Sequence, residues 1–126
     1  MAVTPHELVV EAKSQIKEVS TAEALGLLGR RVVLDVREPD EYAAGHLPGA
    51  INIPRGILEF KIGMVPELAR SNSSILLYCR TSGRAALSAV QLQRIGYTDV
   101  ISMGGGFEAW NAESRPTEKP EPINFE

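Results

Sequence analysis

The strongest constraint on the fold of this chain is a pair of short, almost unbroken runs of apolar β-formers, VVLDV at residues 32–36 and SILLYC at 74–79. A strand covered on both faces reads this way, whereas one with a wet face alternates apolar and polar residues. Helical patterns follow each run. After the first, Pro39 marks a helix start, DEYAA a short helical piece and Gly45 its stop. Pro48-Gly49 then makes a turn, and AINI at 50–53 is a further short strand closed by Pro54. After the second run, Ala85, Ala89 and Leu92 recur at helical spacing, with Ala86 and Val90 alongside, up to Gly96. VISM at 100–103 is a last strand, and Gly104-Gly105-Gly106 leads into a short helix, FEAWNA.

Ahead of these elements, Thr4 as N-cap and Pro5 at the first helical position start a leading helix with Leu8, Val9 and Ala12 on its apolar side. A β-like stretch, Ile16 to Val19, runs into Ser20-Thr21-Ala22-Glu23, a capping box for a second helix. Residues 55–73 are weakly helical, with Ile57, Leu58 and Ile62 apolar and Gly63 and Pro66 interrupting. From Ser114 the sequence SRPTEKPEPINFE is rich in Pro and charge and is expected to form a loose tail. Strands alternating with helices predict an α/β fold with a mostly parallel sheet and helices on both faces.

Composition excludes several functions. The 126 residues carry a net charge of −3, so no basic surface for nucleic acid is expected. No run approaches the roughly 20 apolar residues of a membrane span, and the opening MAVTPHELVVEAKSQ has early acids and no basic leader, which together predict a cytoplasmic protein. One cysteine permits no internal disulfide, and with only His6 and His46 beside it there is no metal-ligand spacing. Neither a metal nor an organic cofactor is expected, and nothing demands more than a monomer.

That single cysteine, Cys79, stands where the second apolar run breaks into RTSGR before the helix, and ligands of parallel sheets bind beyond such strand ends. Thiols become nucleophilic beside cations or at helix N-termini, and both influences are present here. Residues Arg80 to Arg84 lie where backbone N–H groups lack intrahelical partners, so a loop curled around Cys79 makes an anion nest, with Gly83 permitting the curl. Thr81 and Ser82 add hydroxyl donors, and Arg80 and Arg84 add fixed charge. Arg84 at a helix start opposes the helix dipole, a placement disfavoured without an anion nearby. The expected substrate is therefore a small anion. A thiolate so placed can attack the outer sulfur of thiosulfate or of a persulfide and then yield that sulfur to an acceptor, in two covalent steps.

These residues resemble the rhodanese-like sulfurtransferase family. LDVREPDEYAAGHLPGAINIP at 34–54 is similar to its first signature, YCRTSGRAALSAVQLQRIGYTDV at 78–100 to its active-site loop and helix, and GGFEAW at 105–110 to its closing motif. The resemblance covers residues 15–113, leaving 1–14 as an N-terminal helical extension and 114–126 as a tail. It implies a rhodanese-like fold with a central five-stranded parallel sheet, Cys79 as the persulfide carrier, amides of residues 80–84 around the sulfur, and Arg84 as the cation closing the loop. Asp35, Arg37, Glu41 and His46 match the first signature. Asp35 and Arg37 are read as a buried polar network behind the loop, His46 as a turn residue and not a base, and Phe107 and Trp110 as packing.

Four residues separate Cys79 from Arg84. Sulfur-transferring members have this loop, while the related phosphatases have one residue more, which widens the cradle for phosphate. The expected reaction moves sulfane sulfur from thiosulfate or a persulfide to cyanide or a thiol, including a protein thiol. A cysteine-dependent phosphatase or arsenate reductase is the enzymatic alternative, and a non-catalytic module that binds a partner is the third.

Overall fold

The computed structural model describes residues 2–120. Five strands, β1 (Lys17–Val19), β2 (Val32–Asp35), β3 (Ile51–Asn52), β4 (Ile75–Tyr78) and β5 (Val100–Met103), form one sheet in the order β1-β5-β4-β2-β3. Every pairing is parallel, with Leu34 opposite Leu77 and Leu76 opposite Ile101. The central strands are buried on both sides, as their unbroken apolar runs require.

Side chains of β4 alternate between two cores. Ile75, Leu77 and Cys79 face a layer with Leu58 and Ile62 from α4 (Leu58–Lys61) and its following turn, and with Ala85, Ala89 and Leu92 from α5 (Gly83–Arg94). Leu76 and Tyr78 face Ala24 of α2 (Thr21–Leu25) and Trp110 of α6 (Gly106–Ala112). The leading helix α1 (Pro5–Lys13) packs on α5. Capping boxes Thr4/Glu7 and Ser20/Glu23 are formed at α1 and α2, each satisfying orphan N–H groups at a helix start. No helix among the described residues is long and apolar enough to cross a membrane.

Strand limits are shorter than the runs suggested: β3 has two residues, and β1, β2 and β4 lose one or two at their ends. The weakly patterned segment after β3 is a chain of single turns: a 3-10 turn at Arg55–Ile57, α4, then 3-10 turns at Ile62–Met64 and Pro66–Leu68. Leu58, Ile62 and Leu68 pin it to the core at 0–2% exposure, while Gly63 and Pro66 prevent one continuous helix.

The expected loose tail needs correction over its first part. Glu118 and His46 exchange two backbone hydrogen bonds of 2.8 Å, Gly49 N–H donates to Glu118 Oε1 at 3.0 Å, and Trp110 Nε1 donates to the Pro116 carbonyl at 2.7 Å. A buried indole N–H needs an acceptor, and this segment supplies it. The remainder of that expectation, residues 121–126, lies outside the described residues.

Candidate active site

All strands run the same way, so Asp35, Asn52, Tyr78 and Cys79 collect at one end of the sheet. Cys79 is 1% exposed, and its Sγ accepts a hydrogen bond from the Ala85 N–H at 3.3 Å. That donor lies one residue beyond the 80–84 stretch expected to cradle the sulfur. The N–H groups of Thr81, Ser82, Gly83 and Arg84 donate to no acceptor among the described residues. Four successive unpaired amides at the start of a twelve-residue helix form a region of positive potential beside Sγ.

The loop is held from below by α6. Phe107 N–H donates to the Cys79 carbonyl at 2.8 Å and Glu108 N–H to the Arg80 carbonyl at 2.9 Å. This approach needs Gly106. Its φ is +61°, and a Cβ there would overlap the Thr81 carbonyl oxygen and stand 2.6 Å from the Arg80 carbonyl. The sequence signal was the Gly triplet, read only as a lead into a helix. On the other side of the loop, Gly83 faces Val9 of α1, so the leading helix reaches the site.

Arg84 does not stand free. Its Nη1 and Nη2 donate to Glu41 Oε1 and Oε2 at 2.7 and 3.0 Å, a bidentate pair joining α5 to α3 (Pro39–Ala44). The anion that a cation at a helix start calls for is thus the protein's own carboxylate. Hydrogen bonding from Arg84 holds the Glu41 carboxyl at about 2, against an ordinary 4.5. The same bond raises the Arg84 pKa and keeps it charged. Arg80 is exposed and lies 3.4 Å from Glu108.

Behind the loop, Arg37 Nε and Nη2 grip Asp35 at 2.8–3.1 Å, and Nη2 also donates to the Gly45 carbonyl at 2.6 Å. Tyr78 donates from its hydroxyl to Asp35 Oδ2 at 2.6 Å and accepts from the Leu47 N–H. Asn52 ties the Asp35 and Arg37 carbonyls together. Burial alone would lower the Arg37 pKa, but the hydrogen bond and charge of Asp35 outweigh it and raise the value. Burial, then Asp35, raises the Tyr78 pKa. Tyr78 and Asn52 were missed in the sequence: SILLYC reads as core, and nothing local shows that Tyr78 carries a hydroxyl toward Asp35. His46 makes no hydrogen bond to the loop among the described residues. It is 5% exposed, stacked on Tyr42 at 3.9 Å, and donates from Nδ1 to the Leu47 carbonyl.

Beside the loop is a cavity of about 540 Å³ between α3 and α6, with Arg37, Arg80, Phe107 and Asn111 in its wall. Among the described residues no group of three or more His, Cys, Asp or Glu is placed to hold a metal ion.

Comparison with known proteins places this geometry. Residues 20–113 match the rhodanese-like domain family. The chain is 35% identical over 81 residues to the uncharacterized protein YqhL of Bacillus subtilis, a match covering 64% of this chain and 61% of that one. It is 34% identical over 107 residues to thiosulfate sulfurtransferase 16, chloroplastic, of Arabidopsis thaliana, covering 79% of this chain and 88% of that protein. A Rhodopseudomonas palustris protein of unknown function, described as a possible tyrosine phosphatase, superposes with a TM-score of 0.82 at 30% identity over 94% of this chain and 96% of its own. With a family match over most of its length, a five-stranded parallel sheet and a cysteine loop at the sheet's carboxyl end, the chain belongs to the rhodanese-like domain family.

Proposed function

We propose that the protein is a sulfurtransferase that takes sulfane sulfur from thiosulfate or a persulfide onto Cys79 and passes it to cyanide or a thiol. Relatives named as sulfurtransferases support the general activity. The observation that carries the finer reading is the loop itself: Sγ bonded by one amide, with four further unpaired N–H groups beside it and only four residues between Cys79 and Arg84.

In the first step the Cys79 thiolate attacks the outer sulfur of thiosulfate. The new Sγ–S bond forms as the old S–S bond breaks, its electron pair leaves on sulfite, and Cys79 becomes a persulfide anion. Negative charge on the terminal sulfur is then stabilised by the amide nest, as oriented dipoles stabilise any developing anion. In the second step an acceptor thiolate or cyanide attacks that sulfur, and the pair of the breaking bond returns to Sγ. An acceptor that is already ionised needs no protein base, which agrees with a His46 ring engaged by the Leu47 carbonyl and stacked on Tyr42.

Arg84 serves this scheme through Glu41. Held by two hydrogen bonds, its guanidinium fixes the start of α5 and with it the amides that face the sulfur. The test is intact mass after incubation with thiosulfate or a small persulfide. One added sulfur is expected on the wild type, removable by cyanide and absent from Cys79→Ser. No added sulfur from either donor, together with hydrolysis of an aryl phosphate through Cys79, would establish a phosphatase instead.

A further inference from the structure

The leading helix α1 lies outside residues 20–113 that match the family, yet it reaches the cysteine loop. Its contact falls on Gly83, the first residue of α5. A Cβ built on Gly83 would stand 3.4 Å from Val9 Cγ2 and would meet no other atom within 4 Å outside its own helix backbone and chain neighbours. Leu8 and Val10, on either side of Val9 in the chain, are 45% and 55% exposed, while Ala12, three residues on, is buried. Val9 is therefore the side chain that α1 lays on the loop.

Gly83 is where the cradle most needs support. Its Cα joins two rigid peptide planes, one carrying its own N–H and the other the N–H of Arg84. Both N–H groups belong to the run of four unpaired amides beside Sγ. The φ of Gly83 is not positive, so the backbone there does not call for glycine. Glycine instead leaves the joint between the two planes loose, because no Cβ restricts its dihedrals. Hydrogen bonds from α6 fix the loop at the Cys79 and Arg80 carbonyls, and Glu41 fixes it at the Arg84 side chain. Between these anchors no hydrogen bond from another element reaches Thr81, Ser82 or Gly83 among the described residues. Packing holds this stretch, with Gly106 under Thr81 and Val9 over Gly83.

We propose that Val9 is a positioning residue for the chemistry of Cys79: its side chain stops the Gly83 joint, so that the amides of Gly83 and Arg84 stay aimed at the sulfur. The stop is itself anchored. α1 begins in the Thr4/Glu7 capping box, and Ala12 seats its second half at 4% exposure. Oriented amides stabilise charge on sulfur only while their direction is kept, since the effect comes from dipoles that do not reorganise during the reaction. Val9 acts on the sulfur only through Gly83. Its role holds for any reaction in which Cys79 carries negative charge, and so goes beyond sulfur transfer.

The test compares Val9→Ala, Val9→Ile and Val10→Ala in the full chain. Val9→Ala removes both γ carbons without weakening α1, since alanine is the better helix former. Val9→Ile keeps both carbons, and Val10→Ala makes the same deletion at an exposed neighbour. Two rates are measured at one pH on folded protein: sulfur uptake from thiosulfate, by intact mass, and alkylation of Cys79 by iodoacetamide. Val9→Ala should lower both by about tenfold, with the amide chemical shifts of Gly83 and Arg84 displaced. Val9→Ile and Val10→Ala should leave rates and shifts near the wild-type values. Relaxation of the wild type gives an independent reading, in which the Gly83 amide should be as rigid as those of α5, with an order parameter of about 0.85. Wild-type rates in Val9→Ala, an equal loss in Val9→Ile or Val10→Ala, or a Gly83 order parameter below about 0.6 overturns the proposal. Absence of sulfur uptake in the wild type, with alkylation still in the expected order, would sink the sulfurtransferase reading and leave the role of Val9 standing.

Discussion

At Arg84 the chain sets a cation against the positive end of α5, which costs stability unless an anion compensates. Glu41 does so from α3, with 26% of its side chain exposed against 35% for Arg84. Pairing holds the Glu41 carboxyl at about 2, below its ordinary 4.5. A folded value below the unfolded one gives stability that is complete above pH 4.5 and fades as pH falls towards 2. With solvent screening of a partly exposed pair, the contribution is about 1–2 kcal/mol. Glu41→Gln should lose that amount at neutral pH and show a shallower fall in urea stability between those limits. A variant with the same acid slope as the wild type would remove Glu41 from this role. The pair spans 43 residues of sequence. Spacing therefore could flag the conflict at Arg84 but not name the residue that resolves it.

At the level of elements, the junction of the β4–α5 loop with α6 sets the site's geometry. Two N–H groups of α6 bond two loop carbonyls, and the contact is close enough that only Gly fits at 106. Gly106→Ala must either open this contact or strain a backbone at φ +61°. The expected cost is about 2–4 kcal/mol, with persulfide formation slowed by on the order of 10²-fold because the amides lose their aim. Chemical denaturation and the rate of sulfur uptake measure the two effects, and normal uptake in a folded variant would show that α6 does not position the loop. Helix starts were legible because Thr4/Glu7 and Ser20/Glu23 satisfy their own amides locally. The inner strands β2, β4 and β5 were legible because burial on both faces leaves a nearly unbroken apolar run. Gly106 was not, since a close approach depends on a partner 25 residues earlier, Thr81. The turns at 55–68 were blurred for a related reason: Leu58, Ile62 and Leu68 answer to the core and not to a helical period.

Over the whole molecule, the two cores on either side of the sheet are closed differently. The face with Cys79 is covered by α4 and α5, and α1 covers α5 in turn. The other face ends at Trp110, which is fully buried and whose Nε1 needs an acceptor that neither the sheet nor α2 provides. Residues 114–118 supply it by turning back: Arg115 N–H bonds the Trp110 carbonyl, Pro116 receives the indole, and Glu118 pairs with His46. Composition alone could not reveal this, because Pro and charge describe the solvent side of the segment and not the indole that recruits it. Removing residues 114–126 should therefore act on the fold and not on the sulfur chemistry directly. A lost hydrogen bond to a buried donor, together with exposure of the indole face, costs about 1–3 kcal/mol. Trp110 is the sole tryptophan, so its emission reports the event without labels. The truncated chain should emit to the red of the full chain in native buffer and unfold at lower urea. Because Trp110 and Phe107 share α6, and Phe107 holds the Cys79 carbonyl, sulfur uptake should fall in proportion to the loss of native α6. Unshifted emission with unchanged urea stability would mean that the segment closes nothing, and that Trp110 is kept dry by the sheet and α2 alone.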